Sequence, residues 1–178
     1  ISVNLKNFVK NPFTETAFFD FDHFSQVAAS AMRLSDDLVE LEVEKLDNII
    51  KACDTSDEVE LWENIKAACV NGRRTGLGTH GLADALACLS LAYDSDEAIE
   101  VIDNIYSTFK VAAYTESVNL AQERGAFPVF NWDKEKNNAY IQSLPNNLQE
   151  LIAKFGRRNI SILTNAPTGS VSIMSQTS

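Results

Sequence analysis

The chain has 178 residues, which is enough for one domain or for part of a larger one. Hydrophobic residues make up 45% and charged residues 22%, a globular composition, and no apolar run approaches the roughly 20 residues of a membrane-spanning helix. The net charge of −10 argues against binding to DNA or to anionic lipid. Because the sequence begins with Ile1 and has no basic-then-apolar leader, we expect a cytoplasmic protein and a piece of a longer chain.

The first third of the chain predicts an extended start followed by one long helix. Ile1 to Val9 is predicted as a short strand or extended segment, closed by Asn11-Pro12. Asp20 or Asp22 can cap the helix, because a carboxylate there accepts hydrogen bonds from unpaired N–H groups. Apolar residues then recur in steps of three and four, which predicts a helix packed on the core through that face. They are Phe24, Val27, Ala31, Leu34, Leu38 and Leu41.

Helices also dominate the predictions for the rest of the chain. Gly72, and later Gly125 with Pro128, mark helix ends. The clearest strand runs from Asn159 to Thr164. The predicted helices cover residues 59–70, 82–91, 96–124 and 139–155, the last of them interrupted near Pro145. We therefore expect a mainly helical α/β chain with few strands of its own.

The negative charge is concentrated between Asp36 and Glu63. Eleven acidic residues in this stretch are offset only by Lys45 and Lys51, so it carries −9 of the net −10. One interpretation is a solvated helix face, and the other is a docking surface for a basic partner. The remainder of the chain is almost neutral, so the acidity gives little information about a ligand.

Gly76, Gly78 and Gly81 form the pattern G-x-G-x-x-G. In dinucleotide-binding proteins this pattern lets the backbone approach a pyrophosphate at a helix N-terminus. Here only a short Arg-Arg-Thr stretch precedes the pattern, and no apolar strand follows the helix to present an acidic residue to a ribose. We therefore favour close packing of a strand on a helix as the role of these glycines.

A second candidate anion site follows the predicted strand. Pro167-Thr168-Gly169-Ser170 supplies hydroxyls and a glycine, and the backbone N–H groups there can bind an anion if a helix begins at this point. It is not a Walker loop, since no lysine follows the glycine. The pattern alone leaves two interpretations open, an ordinary strand-to-helix turn and an anion site.

The sequence gives little support to nucleophilic or metal chemistry. Cys53, Cys69 and Cys88 lie among apolar residues in helical patterns, and their spacing fits neither a disulfide framework nor a zinc site. We expect three buried, inert thiols and no metal. His23 and His80 are the only histidines, and no G-x-S-x-G elbow is present.

Two arginine pairs flank glycines at predicted element boundaries. They are Arg73-Arg74 after Gly72 and Arg157-Arg158 after Gly156. Structural salt bridges are one interpretation, and contacts to a ligand phosphate are the other.

Ordered blocks of the sequence resemble the catalytic (large) chain of ribonucleotide reductase. Gly-Arg-Arg-Thr-Gly at 72–76 and Pro-Thr-Gly-Ser at 167–170 are most similar to the adenosylcobalamin-dependent (class II) branch. The class I branch, which takes its radical from a separate small subunit, is the alternative. The blocks follow one another in order between residues 72 and 170, so together they are specific although each is weak alone. They are residues 72–87, 93–98, 113–117, 121–127, 156–160 and 164–170.

The resemblance implies a fold and a reaction. The fold is a ten-stranded α/β barrel, of which residues 1–178 are a mainly helical central to C-terminal part, incomplete at both ends. The reaction converts ribonucleoside di- or triphosphates to deoxyribonucleotides, with adenosylcobalamin as cofactor and a dithiol such as thioredoxin as reductant. A thiyl radical removes the ribose 3′ hydrogen, and a cysteine pair reduces the 2′ carbon. The expected partners are the remainder of the chain, the ribonucleotide substrate and a second copy in a homodimer.

The resemblance also implies where the site residues lie. It assigns the substrate's phosphates to one loop, Pro167, Thr168, Gly169, Ser170 and Val171. Gly169 is expected to leave room for the anion and to need backbone angles that are closed to other residues. The family's Asn-x-Cys-x-Glu radical motif is absent from these residues, and one reducing cysteine precedes the equivalent of Ile1. No catalytic residue is therefore expected within this segment, which should be inactive alone.

Two functions of different classes are thus expected. The first is a segment of a reductase that supplies barrel framework and the phosphate loop. The second is a non-enzymatic helical module that docks a partner through the acidic residues 36–63.

Overall fold

The computed structural model describes residues 1–178, and most of them are helical. The strands are β1 (Ser2–Asn4), β2 (Val9–Lys10), β3 (Phe18–Phe19) and β4 (Gly78–His80), and a 3₁₀ helix covers Leu5–Phe8. The α-helices are α1 (Phe21–Ala52), α2 (Ser56–Gly72), α3 (Leu82–Cys88), α4 (Asp96–Arg124), α5 (Trp132–Glu135), α6 (Ala139–Gln142), α7 (Asn146–Phe155) and α8 (Gly169–Ser175). No helix is both long enough and apolar enough to cross a bilayer. The prediction of a mainly helical chain with few strands is confirmed.

The chain divides into two compact units. The first unit consists of Ile1–Ala31, Leu77–Ala113 and Leu163–Ser178, and the second consists of Met32–Gly76 and Tyr114–Ile162. The long helices α1 and α4 each contribute residues to both units.

Parallel pairing organises the first unit. β1 and β4 pair in parallel, with Ser2 opposite Gly78 and Asn4 opposite His80. Leu77, directly before β4, forms a parallel bridge with Leu163. Successive backbone groups of a strand point to opposite edges, so β4 has β1 on one edge and the segment around Leu163 on the other. Three chain segments therefore run in the same direction, with β4 in the middle.

An aromatic cluster forms part of the core of the first unit. The antiparallel pair β2 and β3 places Phe19 beside Phe8, with ring centroids 5.9 Å apart. Phe24 of α1 is fully buried between these rings and Phe109 of α4, which stacks on it at 5.6 Å. Aromatic rings contribute large apolar areas, so this cluster fixes the start of α1 against the strands.

The second unit is built from helices packed on apolar faces. Helix α7 buries Leu148 and Ile152, one turn apart, and Val39, Leu120 and Phe127 of the same unit are also buried. On the surface of this unit, Arg33 of α1 forms short ion pairs with Glu116 and Glu123 of α4.

The predicted apolar face of α1 is wrong in its second half. Leu34, Leu38 and Leu41 are 53%, 47% and 58% exposed. The buried positions of α1 are instead Phe24, Ala28, Met32, Ser35, Asp36, Val39 and Leu46. The predicted and the observed buried positions both begin at Phe24. After it, the observed positions lie one residue further along the chain than the predicted ones, which turns the buried face of the helix by about 100°. The true face contains a buried aspartate, which interrupts the apolar pattern.

The predicted strand Asn159–Thr164 is extended but forms no continuous ladder. Only Leu163 makes a β-bridge, and the Ile160 N–H donates to the carbonyl of Gly72. The carbonyls of Asn159 and Ile160 accept hydrogen bonds from the Arg157 guanidinium, at 2.6 and 2.7 Å. These two carbonyls are thus bound by a side chain, and the backbone bonds of the segment to residues 72–77 do not form a continuous ladder.

Capping signals predict both ends of α4, whereas the predicted helix 59–70 is shorter than α2 (Ser56–Gly72) and the predicted helix 82–91 is longer than α3 (Leu82–Cys88). Helix α4 spans the predicted residues 96–124, and its end is followed by Gly125 in the left-handed conformation. The predicted helix 139–155 is divided into α6 and α7, with Pro145 as the N-cap of the second. Proline starts a helix more readily than it continues one.

Candidate functional site

The predicted phosphate loop lies on the surface of the first unit, where the chain enters α8. Pro167, Gly169, Ser170 and Val171 are exposed, and Thr168 is half-buried. The first helical hydrogen bond of α8 runs from the Ser172 N–H to the carbonyl of Thr168, at 2.7 Å. The N–H groups of residues 169–171 precede this bond, so they have no acceptor within the helix. The loop therefore presents three adjacent backbone donors at an exposed position.

The hydroxyl groups of the loop add to these donors. Thr168 is the N-cap residue of α8, but its side chain makes no capping hydrogen bond. Within the first turn of α8, the Ser172 hydroxyl donates to the carbonyl of Gly169, at 2.8 Å, and so does not cap the N–H groups. A helix start without a side-chain cap, flanked by the Thr168 and Ser170 hydroxyls, has the donors that bind a phosphate oxygen.

Gly169 provides space, but its conformation is ordinary. A Cβ atom added there would have no heavy atom within 4 Å. Its φ angle lies outside the left-handed region, in contrast to Gly81, Gly125 and Gly156. The expectation that Gly169 needs angles closed to other residues is therefore wrong, because this first residue of α8 is helical. The other part of the expectation agrees with the structure, because the space beside Gly169 is open.

The glycines of the G-x-G-x-x-G pattern serve close packing. A Cβ atom on Gly78 would lie 2.7 Å from the carbonyl oxygen of Thr164, the neighbouring parallel segment. Gly81 has a φ of +73°, and a Cβ atom there would lie 2.7 Å from Asn4 Oδ1. These contacts support close packing, and not a dinucleotide site, as the role of these glycines. The prediction was packing of a strand on a helix, whereas Gly78 lets β4 approach the neighbouring segment at Thr164.

The second unit contains a cluster of charges around Asp36, which is completely buried. Its Oδ1 accepts hydrogen bonds from Arg73 Nε at 3.0 Å, Arg73 Nη2 at 2.9 Å and Asn159 Nδ2 at 3.0 Å. Its Oδ2 lies 3.2 Å from Arg124 Nη1 and 3.3 Å from Arg158 Nε. Burial opposes ionisation, but the hydrogen bonds from Arg73 and Asn159 and the arginine charges outweigh it and lower the Asp36 pKa.

Two neighbouring acids complete this Asp36 cluster. Glu40 Oε1 lies 2.7 Å from Arg73 Nη1 and 3.0 Å from Arg158 Nη2, and Asp37 Oδ1 lies 2.7 Å from Arg124 Nη1. The interpretation of residues 36–63 as a solvated helix face is therefore wrong for Asp36. Three of the acids that a docking surface would use are already paired with arginines of the same unit.

The arginine pairs are mainly structural. Arg157 is buried, with Nη2 2.8 Å from Glu135 Oε2, and its guanidinium lies over the Phe127 ring at 5.3 Å. Together with Arg73 and Arg158, it confirms the salt-bridge interpretation over contacts to a ligand phosphate. Arg74 differs from these three, because it is exposed.

The cysteines are partly as predicted. Cys88 is buried, but Cys53 and Cys69 are only half-buried, so burial is overestimated for two of the three. All three are free thiols. Partial desolvation raises the pKa of Cys53, assisted by the charges of Glu58 and Asp54, and desolvation and Glu42 raise that of Cys69. A raised pKa disfavours the thiolate, in agreement with the prediction of inert thiols.

Comparisons with known proteins agree with the fold. The family model described as "Ribonucleotide reductase, barrel domain" matches residues 1–178. A solved structure, the Actinobacillus ureae class Id ribonucleotide reductase alpha subunit, superimposes with a TM-score of 0.63 at 20% identity. The superposition covers 99% of this chain and 26% of that one. At this identity the likeness shows the fold alone.

Curated relatives are similar over most of this chain. A vitamin B12-dependent ribonucleoside-diphosphate reductase of Mycobacterium tuberculosis is 32% identical over 158 residues, which are 89% of this chain and 18% of that protein. A relative of the same name from Thermoplasma acidophilum is 28% identical over 97% of this chain. The Treponema pallidum ribonucleoside-diphosphate reductase subunit alpha is 29% identical over 87%. The chain thus spans less than a fifth of these relatives' length, and it belongs to the ribonucleotide reductase barrel-domain family.

Proposed function

We propose that this chain is the part of a ribonucleotide reductase that supplies barrel framework and the substrate-phosphate loop. The complete enzyme would convert ribonucleoside diphosphates or triphosphates to deoxyribonucleotides by thiyl-radical chemistry, for deoxyribonucleotide and DNA synthesis. The radical cysteine and the reducing pair would lie in the remainder of the chain. The role of this segment would therefore be to bind and orient the substrate.

The observation that carries the proposal is the exposed start of α8. The loop 167–171 follows the segment that runs parallel to β4, so it lies beyond the carboxyl end of that segment. In α/β folds ligands bind at the carboxyl ends of parallel strands. Three N–H groups without intrahelical acceptors and two hydroxyls at such a point suit the phosphates of a nucleotide.

The proposed radical source is adenosylcobalamin. Two of the relatives carry the name vitamin B12-dependent ribonucleoside-diphosphate reductase, which supports this choice. Neither histidine of this chain stands in a ligand set, because His23 packs against the Phe8 ring and His80 Nδ1 lies 2.8 Å from Ser2 Oγ.

A class I large subunit is the alternative form of the same function. The Treponema pallidum relative and the Actinobacillus ureae structure are both named as alpha subunits, which favours a partner subunit in their case. The partners proposed for the complete enzyme are the remainder of its chain, a ribonucleotide, a dithiol such as thioredoxin and a second copy in a cytoplasmic homodimer.

Substitution of Gly169 in the complete reductase tests the proposal. Because a Cβ atom there meets nothing, Gly169→Val should leave the thermal midpoint nearly unchanged. It should weaken ribonucleoside diphosphate binding about tenfold or more, since the branched side chain crowds the phosphate. Gly169→Ala should have a smaller effect. Unchanged nucleotide affinity in the valine variant would refute the site.

A further inference from the structure

Thr164 lies beside Gly78 in the parallel arrangement of the first unit, and both are on the same face. Leu77 and Leu163 form the parallel bridge, and the Thr164 N–H donates to the carbonyl of Leu77 at 3.0 Å. Bridged residues of parallel strands share a face and successive residues alternate, so Thr164 faces the same side as Gly78. The 3.6 Å between Thr164 Cγ2 and a Cβ atom built on Gly78 agrees with this placement.

The two faces of this arrangement differ in their surroundings. The Thr79 hydroxyl lies 3.1 Å from the Tyr106 hydroxyl of α4, so the face with Thr79 is turned toward that helix. Val3 and Leu77 belong to this helix-covered face and are buried. In an α/β barrel the helices surround the strands, so the opposite face is the inner one. The side chains of this inner face are mainly polar, and they are Ser2, Asn4, His80, Ile162 and Thr164.

The Thr164 hydroxyl is free to bind a ligand on the inner face. Thr164 is exposed, and its hydroxyl makes no hydrogen bond within the chain. The neighbouring polar side chains differ from it, because Ser2 Oγ lies 2.8 Å from His80 Nδ1 and Asn4 Oδ1 accepts from the Lys6 N–H at 3.1 Å. Thr164 therefore offers an unpaired hydroxyl on a face where these other groups are already engaged.

Two residues connect Thr164 to the phosphate loop. They are Asn165 and Ala166, and both are exposed, as is Pro167 at the start of the loop. Extended chain advances about 3.3 Å per residue, so Thr164 lies at most about 10 Å from Pro167. This distance is comparable to that between the phosphates and the sugar of a nucleotide. Because the loop follows the carboxyl end of the segment, a nucleotide with its phosphates at the loop can place its sugar beside Thr164.

We propose that the Thr164 hydroxyl forms a hydrogen bond with a ribose hydroxyl of the substrate. This inference rests on the proposed function, because it takes the position of the phosphates from the loop 167–171. A threonine hydroxyl both donates and accepts, so it suits a sugar hydroxyl, which does the same. The branched side chain of Thr164 has few rotamers, which restricts the direction of the hydroxyl. Thr164 is thus a binding residue for the sugar, separate from the loop that holds the phosphates.

The test compares variants of the complete reductase, without cofactor or reductant so that no turnover occurs. Thr164→Val removes the hydroxyl and keeps the shape of the side chain, and Thr164→Ser keeps the hydroxyl. Thr79→Val is the matched control, since it makes the same change on the face turned toward α4. Dissociation constants are measured by equilibrium dialysis for a ribonucleoside diphosphate, its 2′-deoxy and 3′-deoxy analogues and the nucleoside.

Thr164→Val should weaken the ribonucleoside diphosphate about three- to tenfold, and the nucleoside by the same factor, because the lost contact is to the sugar. The deoxy analogue that lacks the contacted hydroxyl should bind wild type and variant equally. Thr164→Ser should keep most of the affinity, and Thr79→Val should change none of the four. No loss in Thr164→Val, or equal losses for the ribonucleotide and both deoxy analogues, would overturn the inference.

The sugar contact and the proposed function fail in different ways. If Gly169→Val weakens nucleotide binding while Thr164→Val does not, only the sugar contact fails. If Gly169→Val has no effect, the phosphate site and the proposed function fail.

Discussion

Asp36 and Arg73 form an ion pair that is buried on both sides, with Oδ1 2.9 Å from Nη2 and 3.0 Å from Nε. Arg73 ends α2 in a left-handed conformation, with a φ of +45°. Because its guanidinium is fixed on α1, the pair holds the end of α2 against the middle of α1. A buried pair of this kind is costly to break, since the remaining charge stays desolvated.

Removal of the Asp36 charge should therefore destabilise the second unit strongly. Asp36→Asn keeps the shape of the side chain but removes the one fully buried carboxylate, so Arg73 and Arg158 are left with the half-exposed Glu40 as their only anion. We expect a loss of about 3–5 kcal/mol in the free energy of unfolding. Asp37→Asn is the control, because Asp37 is half-exposed and should cost at most about 1 kcal/mol. Denaturant-dependent hydrogen exchange of peptides from residues 114–162 measures both. Equal, small losses would contradict the structural role of the Asp36 cluster.

The same carboxylate should make stability depend on acid pH. Because the Asp36 pKa is lower in the folded chain than in the unfolded one, the unfolded state binds the proton first. The stabilisation is complete above the ordinary aspartate pKa of about 4 and is lost as the pH falls through the lower folded pKa. The difference in thermal midpoint between wild type and Asp36→Asn should thus be constant from pH 7 to 5 and shrink below pH 4. A constant difference down to pH 3 would contradict this prediction.

The three thiols should be dispensable for the chemistry. Replacing Cys53 and Cys69 by Ser and Cys88 by Ala should leave the turnover of the complete reductase unchanged. The stability cost of about 1–3 kcal/mol should come mainly from Cys88, the buried one. Since the pKa values of Cys53 and Cys69 are raised, both should react with iodoacetamide more slowly than free cysteine at pH 8. Loss of turnover in a folded variant would mean that one of these thiols takes part.

Local signals account for the parts of the fold that the sequence predicts. The end of α4 is marked by Gly125 and Pro128, which act through neighbouring residues alone. The buried face of α1 could not be found in this way, because Asp36 is buried only through Arg73, Arg124 and Arg158, which are distant in sequence. An aspartate on a helix otherwise predicts an exposed position.

The sequence likewise predicts only those parts of the candidate site that depend on neighbouring residues. Thr168, Gly169 and Ser170 follow an extended segment, and turn chemistry with the family resemblance indicated a phosphate loop. The environment of His80 depends on the pairing of β1 with β4, which joins Ser2 to a residue 78 positions away. No local pattern specifies such a pairing, so the contact between Ser2 and His80 could only be found in the structure.

The hydroxyls of Thr168 and Ser170 provide the sharpest test of the phosphate loop. Neither side chain is needed for the fold, because Thr168 makes no capping bond and Ser170 is exposed. Thr168→Ala combined with Ser170→Ala should remove hydrogen bonds to a charged group worth roughly 1.5–3 kcal/mol each. The KM of the complete reductase for its ribonucleotide should then rise about tenfold or more, with little change in thermal midpoint.

The corresponding nucleoside separates phosphate binding from a general effect on the barrel. It lacks the charged group that these hydroxyls would bind, so its weak affinity should be nearly the same in wild type and double variant. Ser107→Ala, at an exposed serine of α4, controls for loss of a surface hydroxyl and should change neither affinity. Affinities for nucleotide and nucleoside are measured by equilibrium dialysis beside the steady-state KM. Equal losses for both ligands would mean that the loop shapes the barrel and does not bind the phosphates, because only a direct contact can distinguish ligands that differ in the phosphate alone.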